Sequence, residues 1–161
     1  MLNEFQTNLV WENMLAAETR SLYFGDLASR YTRQKQWITG ASFFLSSGAA
    51  ATIIGKAPQW IPAVLAVGVA VATAYAMAVN LDDKIRTMAK LHSAWNSVAL
   101  DYSRLWSHAY TDEAEKDLYE IIMKARESSE LATTDAPNNQ KLLDKWEGHV
   151  FAMHHLTGQD G

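Results

Sequence analysis

The sequence predicts an all-α integral membrane protein: an N-terminal amphipathic helix, a two-helix transmembrane hairpin and a cytoplasmic helical bundle. Three observations predict it. Two long stretches near the middle of the chain lack charge. Apolar residues elsewhere recur every three or four positions, the spacing of one helix face. Strand signals are weak outside the charge-free stretches, and repeats and low-complexity tracts are absent.

The averages hide this. The 161 residues carry 14 basic and 18 acidic side chains, a net charge of −4. With a mean hydropathy of −0.16, they read as a small soluble domain. Yet Lys56 is the only charged residue between Lys35 and Asp82. Residues 36–55 form a charge-free stretch of 20, and residues 57–81 one of 25. Crossing a bilayer core of about 30 Å takes about 20 largely apolar residues. A buried helix in a soluble protein keeps some charge on a solvent face, and so short a chain has little left to cover two charge-free helices. The spans are placed at about 37–55 and 61–81, within a hairpin over residues 37–81.

The flanks set an orientation. Arg30, Arg33 and Lys35 precede the first span, and Lys84, Arg86 and Lys90 follow the second. The positive-inside rule then puts both termini in the cytoplasm, with a multi-pass protein in the plasma (inner) membrane. The connecting loop, residues 55–62, holds two prolines and a glycine, the chemistry of a tight turn. Trp37 and Trp60 stand near the starts of the two spans, where indole favours the interface. The first 35 residues contain no apolar core of the kind a secretory signal needs.

Before the hairpin, residues 1–36 form the N-terminal cytoplasmic helix, with Leu9, Leu15, Leu22 and Tyr31 on adjoining faces. After it, Leu81, Ile85, Met88, His92, Trp95, Val98, Tyr102 and Leu105 step by three or four, and no Gly or Pro interrupts residues 69–110. One continuous helix from Pro62 to Ala109 is therefore expected. Thr111, followed by Asp112 and Glu113, looks like a capped helix start. That helix runs to about Ala132, residues 133–139 form a turn-rich linker, and a last helix covers about 140–155. The cytoplasmic region spans residues 82–156, and residues 157–161 form a frayed tail. Residues 111–161 carry 5 basic and 11 acidic side chains, so the distal part is acidic.

Several function classes fall away. Cysteine is absent, which excludes disulfides and thiolate metal sites. The net charge gives no basic excess for bulk nucleic-acid binding. No phosphate loop, dinucleotide fingerprint or G-x-S-x-G is present, so no enzyme, cofactor or metal site is expected. His149 and His154 are five apart, a poor helical ligand spacing, and read with His155 as surface or interface histidines. Asp82 and Asp83 point in different directions on a helix. They read as polar residues at the membrane boundary or as an acidic ring at a pore mouth.

Within the spans, Ser42 and Ser46 with Thr39 and Ala50 form a polar stripe in the first helix. Thr73, Met77 and Asn80 with Ala66 and Ala70 form one in the second. Polar groups in lipid face protein or a watery cavity. Ser42, Ser46, Thr73, Met77 and Asn80 are therefore the candidate pore-lining residues. Small residues on both spans favour close helix packing, within the hairpin or with further copies in a homo-oligomer. The six basic residues Arg30, Arg33, Lys35, Lys84, Arg86 and Lys90 read either as topogenic contacts with anionic lipid or as a pocket for a phosphate-bearing ligand.

The run from SRYTRQKQWITG (residues 29–40) through APQWIPAVLAV to AVNLDDKIRTMAKLHSAW resembles the SLATT family of two-transmembrane effectors. The likeness is one of architecture and covers residues 5–155. The resemblance implies a pore or ion channel acting as an effector in a prokaryotic anti-phage, abortive-infection system. A Hailong-type channel effector is the nearest kind. It implies a tetramer, a small nucleotide or DNA-oligomer ligand controlling the channel, and a nucleotidyltransferase-like partner. The residues alone also fit a membrane-anchored scaffold or regulator that docks a partner enzyme without forming a pore.

Overall fold

The computed structural model describes residues 1–46 and 60–154, less the side chains of residues 45, 46, 60–63 and 135. The described residues are all-helical: α1 (Glu4–Ser46), α2 (Trp60–Val79), α3 (Leu81–Ser107), α4 (Ala114–Asp135) and α5 (Gln140–Met153). The expected turn at residues 55–62, with Lys56, lies largely outside them, as do the end of the first span, His155 and the frayed tail.

Helix α1 opens on a reciprocal cap. The Gln6 amide N–H donates to Asn3 Oδ1 at 2.8 Å, and Asn3 N–H donates back to Gln6 Oε1 at 2.9 Å. Two orphan donors of the first turn are thereby satisfied. The helix then runs 43 residues without a break, through the point where the sequence placed a boundary between an amphipathic helix and a first span.

The expected continuous helix from Pro62 to Ala109 is interrupted. Asn80 takes φ 48°, in the left-handed region, and separates α2 from α3. Its side-chain amide donates to the Asp83 carboxylate, and its carbonyl still accepts from Lys84 N–H at 3.2 Å. Asparagine tolerates this conformation better than any other non-glycine residue except aspartate. Helix α3 ends at Ser107. Thr111 caps nothing, since its hydroxyl donates back to His108 O at 3.0 Å. Helix α4 starts at Ala114 without a side-chain cap, and its backbone reaches Asp135. Asn139 caps α5, its Oδ1 accepting from Leu142 N–H at 3.2 Å.

The chain divides into two compact units, residues 1–27 with 87–161 and residues 28–86. The first has an apolar core. Val10, Met14 and Leu27 of α1 are buried, as are Met88, Leu91, Trp95, Val98 and Leu105 of α3, Leu118 of α4, and Leu142 and Val150 of α5. With buried Tyr102 added, those on α3 fall every three or four residues, the amphipathic stripe the sequence announces. Polar contacts stitch the same unit. Leu2 N–H donates to Ala109 O at 2.9 Å, Trp146 Nε1–H to Asp26 Oδ2 at 3.2 Å, and Tyr23 holds the α4–α5 linker through Pro137 O. His154 Nε2 lies 2.8 Å from Glu18 Oε2, with Trp11 edge-on to the imidazole.

In the second unit Leu81 is the one fully buried apolar side chain among the described residues. This unit consists of the C-terminal part of α1, all of α2 and the first turns of α3. Tyr31 meets Lys84, Lys35 meets Asp82 and Gln34 meets Tyr75; from Tyr31 to Lys35 the number of the residue faced falls, so the α1 segment runs antiparallel to the chain it faces. Among the described side chains of α2, only Leu65, Val69, Ala72, Ala76 and Val79 are even half-buried. Their 4-3-4-3 spacing is a coiled-coil seam. The remaining described side chains of α2 are exposed, and all but Thr73 and Tyr75 are wholly apolar: Val67 and Val71 are each 63% exposed and Met77 is 75% exposed. Trp37, Phe43 and Phe44 on α1 are exposed as well. The most apolar stretch beginning at Val64 is long enough to cross a membrane, and 6% of it is buried.

Candidate functional site

A cleft of about 390 Å³ opens where the α1 segment meets the end of α2 and the start of α3. Lys35, Ile38 and Thr39 of α1 line it, with Thr73, Ala76, Met77, Asn80 and Leu81 opposite, and Asp82 at its rim. Three of the five pore-lining candidates, Thr73, Met77 and Asn80, thus share one cleft with a ligand candidate, Lys35. Ser42 is half-buried on α1 and is not among the cleft residues. Ser46 closes α1 as a backbone position, its side chain outside the described residues.

The left-handed turn at Asn80 decides where the polar stripe ends. Thr73 and Met77 are a helical turn apart on one face of α2, both exposed. Asn80 would continue that face in an unbroken helix. Here its amide is committed to Asp83 instead. The adjacent acids do different things, as expected of neighbours on a helix. Asp82 Oδ1 pairs with Lys35 Nζ at 2.5 Å across the cleft mouth, while Asp83 takes Asn80 and lies 3.9 Å from Arg86.

These pairs also reshape the basic candidates. Lys35 and Arg86 each face a carboxylate, and Lys84 Nζ stands 5.9 Å above the Tyr31 ring. The cation–aromatic contact at Lys84 was not foreseen, although Tyr31 stood among the basic residues. Arg30 also has partners. Arg33 is exposed and makes no ion pair among the described residues. Lys90, on α3, belongs to the other compact unit. Five of the six basic residues therefore share the unit of residues 28–86, against two acids, Asp82 and Asp83. With Lys56 the unit's surplus is four positive charges, and most of the five candidates have partners. No single cradle of converging basic groups is formed among the described residues.

Metal chemistry finds no footing among the described residues, where no group of three His, Asp or Glu side chains converges. His149 packs edge-on against Trp146, and His154 against Trp11 and Glu18. Their aromatic contacts account for these two histidines without a ligand.

Against known proteins, the chain matches no family model, no curated protein and no solved structure.

Proposed function

We propose that the chain is an oligomeric membrane pore, controlled by a nucleotide ligand and serving as an effector in a prokaryotic anti-phage system. The observation that carries the membrane part of this reading is the uncovered apolar surface of α2. A soluble chain does not leave three valines, a methionine and a tyrosine of one helix exposed beside two exposed phenylalanines. Lipid or further copies of the chain are the natural cover. The two-span hairpin and a cytoplasmic bundle of α1, α3, α4 and α5 complete the proposed topology, with both termini inside. The basic surplus of residues 28–86 supports that orientation.

The pore reading rests on the Thr73–Met77 face. We take the half-buried Leu65–Val79 seam of α2 as the face that packs on the antiparallel α1 segment. The opposite and flanking faces remain for other copies and for a conduction path. A hydroxyl and a thioether without charge fit a path of low intrinsic selectivity. The tetramer, the nucleotide and the nucleotidyltransferase-like partner come from the resemblance to SLATT effectors. Purified protein in liposomes should pass ions, and candidate oligonucleotides should change the flux. No flux in either condition, with insertion verified, contradicts the pore and leaves the scaffold reading.

A further inference from the structure

Arg20 is seated on an aromatic ring at the edge of a cleft. Its compact unit, residues 1–27 and 87–161, carries 8 basic and 16 acidic side chains. Of the other cations there, Lys116, Lys124 and Arg126 pair with Glu120, Asp101 and Glu130, while Lys90, Arg104, Lys141 and Lys145 meet no carboxylate among the described residues. Arg20 pairs with none among the described residues. Glu12 and Glu147 line the adjoining groove with it, yet neither makes an ion pair with it. Instead the guanidinium lies over the indole of Trp95, 4.5 Å from the ring centroid. Burial pushes its pKa below the ordinary arginine value. Arg20 stays exposed at the surface, and a guanidinium with no carboxylate holds five donors ready for an anion.

Arg20 also lines a cleft of about 330 Å³ between α1, α3, α4 and the α4–α5 linker. That volume lies at the lower end of the ~300–1,000 Å³ typical of small-molecule sites. Phe24, Pro137 and Leu143 give it apolar walls, and Ser129 and Asn138 add polar groups. The linker wall is fixed in place, because the Tyr23 hydroxyl donates to Pro137 O and accepts from Asn139 N–H. Trp95 lines the same cleft. It is 2% exposed, and its Nε1–H has no acceptor among the described residues. An orphaned buried donor is rare in a well-satisfied interior.

We propose that this cleft binds a small organic oxyanion, a phosphate ester or a carboxylate, held by Arg20 with its apolar body against Phe24, Pro137 and Leu143. The guanidinium fork suits either anion. The site stands on residues of one compact unit and does not depend on the pore reading. Binding and conductance are separate readouts, so either can fail alone.

The test uses the full chain in nanodiscs, with phenyl phosphate, benzoate and uncharged benzyl alcohol as probes. The readout is the indole ¹⁵N–¹H resonance of Trp95, assigned with Trp95→Phe. Phenyl phosphate or benzoate should shift it saturably, and the stronger of the two names the anion class. Benzyl alcohol should leave it in place. Arg20→Gln should weaken binding by about tenfold or more, the scale of a lost charged hydrogen bond. Arg20→Lys keeps the charge but loses the fork, and should fall between. It also serves if Arg20→Gln does not fold. No shift with either anion at millimolar concentration, or wild-type affinity in a folded Arg20 variant, overturns the proposal.

Discussion

Asn80 shows how one residue redirects an element. The helical period runs through it without a Gly or Pro, so periodicity alone predicts a continuous helix. The turn was still legible in principle. Asparagine, with a short amide that bonds locally, is among the few side chains that accept a left-handed backbone. Asn80→Gly should keep the break at little cost, while Asn80→Ala should cost about 1–2 kcal/mol at that backbone position. Thermal unfolding of the detergent-solubilised protein compares the two. Gly25 is the opposite case, a glycine demanded by packing within a helix. A Cβ there would stand 3.1 Å from His92 Nδ1, and that ring is held by Ser21 O at 2.8 Å. The carbonyl can only accept, so Nδ1 carries the proton. Gly25→Ala gains about 1 kcal/mol of helix propensity. It meets an overpacking cost of about 1–3 kcal/mol, because the anchored imidazole has little room to yield. A lowered melting temperature is the expected outcome. Tyr102 carries a pH prediction. Burial raises its pKa above the usual phenol value of 10.0. The fold therefore favours the neutral phenol. Stability should be unaffected below pH 10 and fall as the pH rises from there towards the folded-state pKa. Tyr102→Phe should remove that part of the alkaline slope in a pH series of denaturation curves.

At the scale of elements, the second apolar stretch was legible as a helix because absence of charge over 25 residues is a strong signal. The caps were not. The Asn3–Gln6 pair and the Asn139 cap involve residues whose side chains serve equally in loops, and Thr111 looked like a cap while its hydroxyl bonds backwards to His108. The candidate site was half legible. Thr73 and Met77 follow from helical spacing. That Lys35 meets Asp82 across a cleft depends on antiparallel register, which no single-helix pattern contains. The Lys35–Asp82 pair is well exposed, at 48% and 68%. It should contribute only about 0–1 kcal/mol, so a double-mutant cycle should return a small coupling. Packing between copies makes a larger demand. A Cβ on Gly68 would meet nothing among the described residues of one chain. Gly68→Leu should therefore spare the fold of the chain. It should weaken the oligomer in crosslinking if α2 packs against further copies, because small residues permit that approach.

For the whole molecule, two compact units of unlike chemistry explain the misleading averages. The unit of residues 1–27 and 87–161 buries an apolar core and carries 24 of the 32 charged side chains. Among the described residues, the unit of residues 28–86 exposes many of its apolar side chains, Trp37, Phe43, Val67, Val71 and Met77 among them. Only a solvent other than water, or further protein, stabilises such an arrangement. The absence of cysteine makes the pore claim directly testable. Single cysteines at Val67, Val71, Thr73 and Met77 can be treated with a charged, membrane-impermeant thiol reagent while conductance is recorded in a planar bilayer. Block at Thr73→Cys and Met77→Cys, with Val67→Cys and Val71→Cys unaffected, is the predicted result. Conducting channels that are insensitive to the reagent at Thr73 and Met77, or blocked equally at all four positions, would contradict the account.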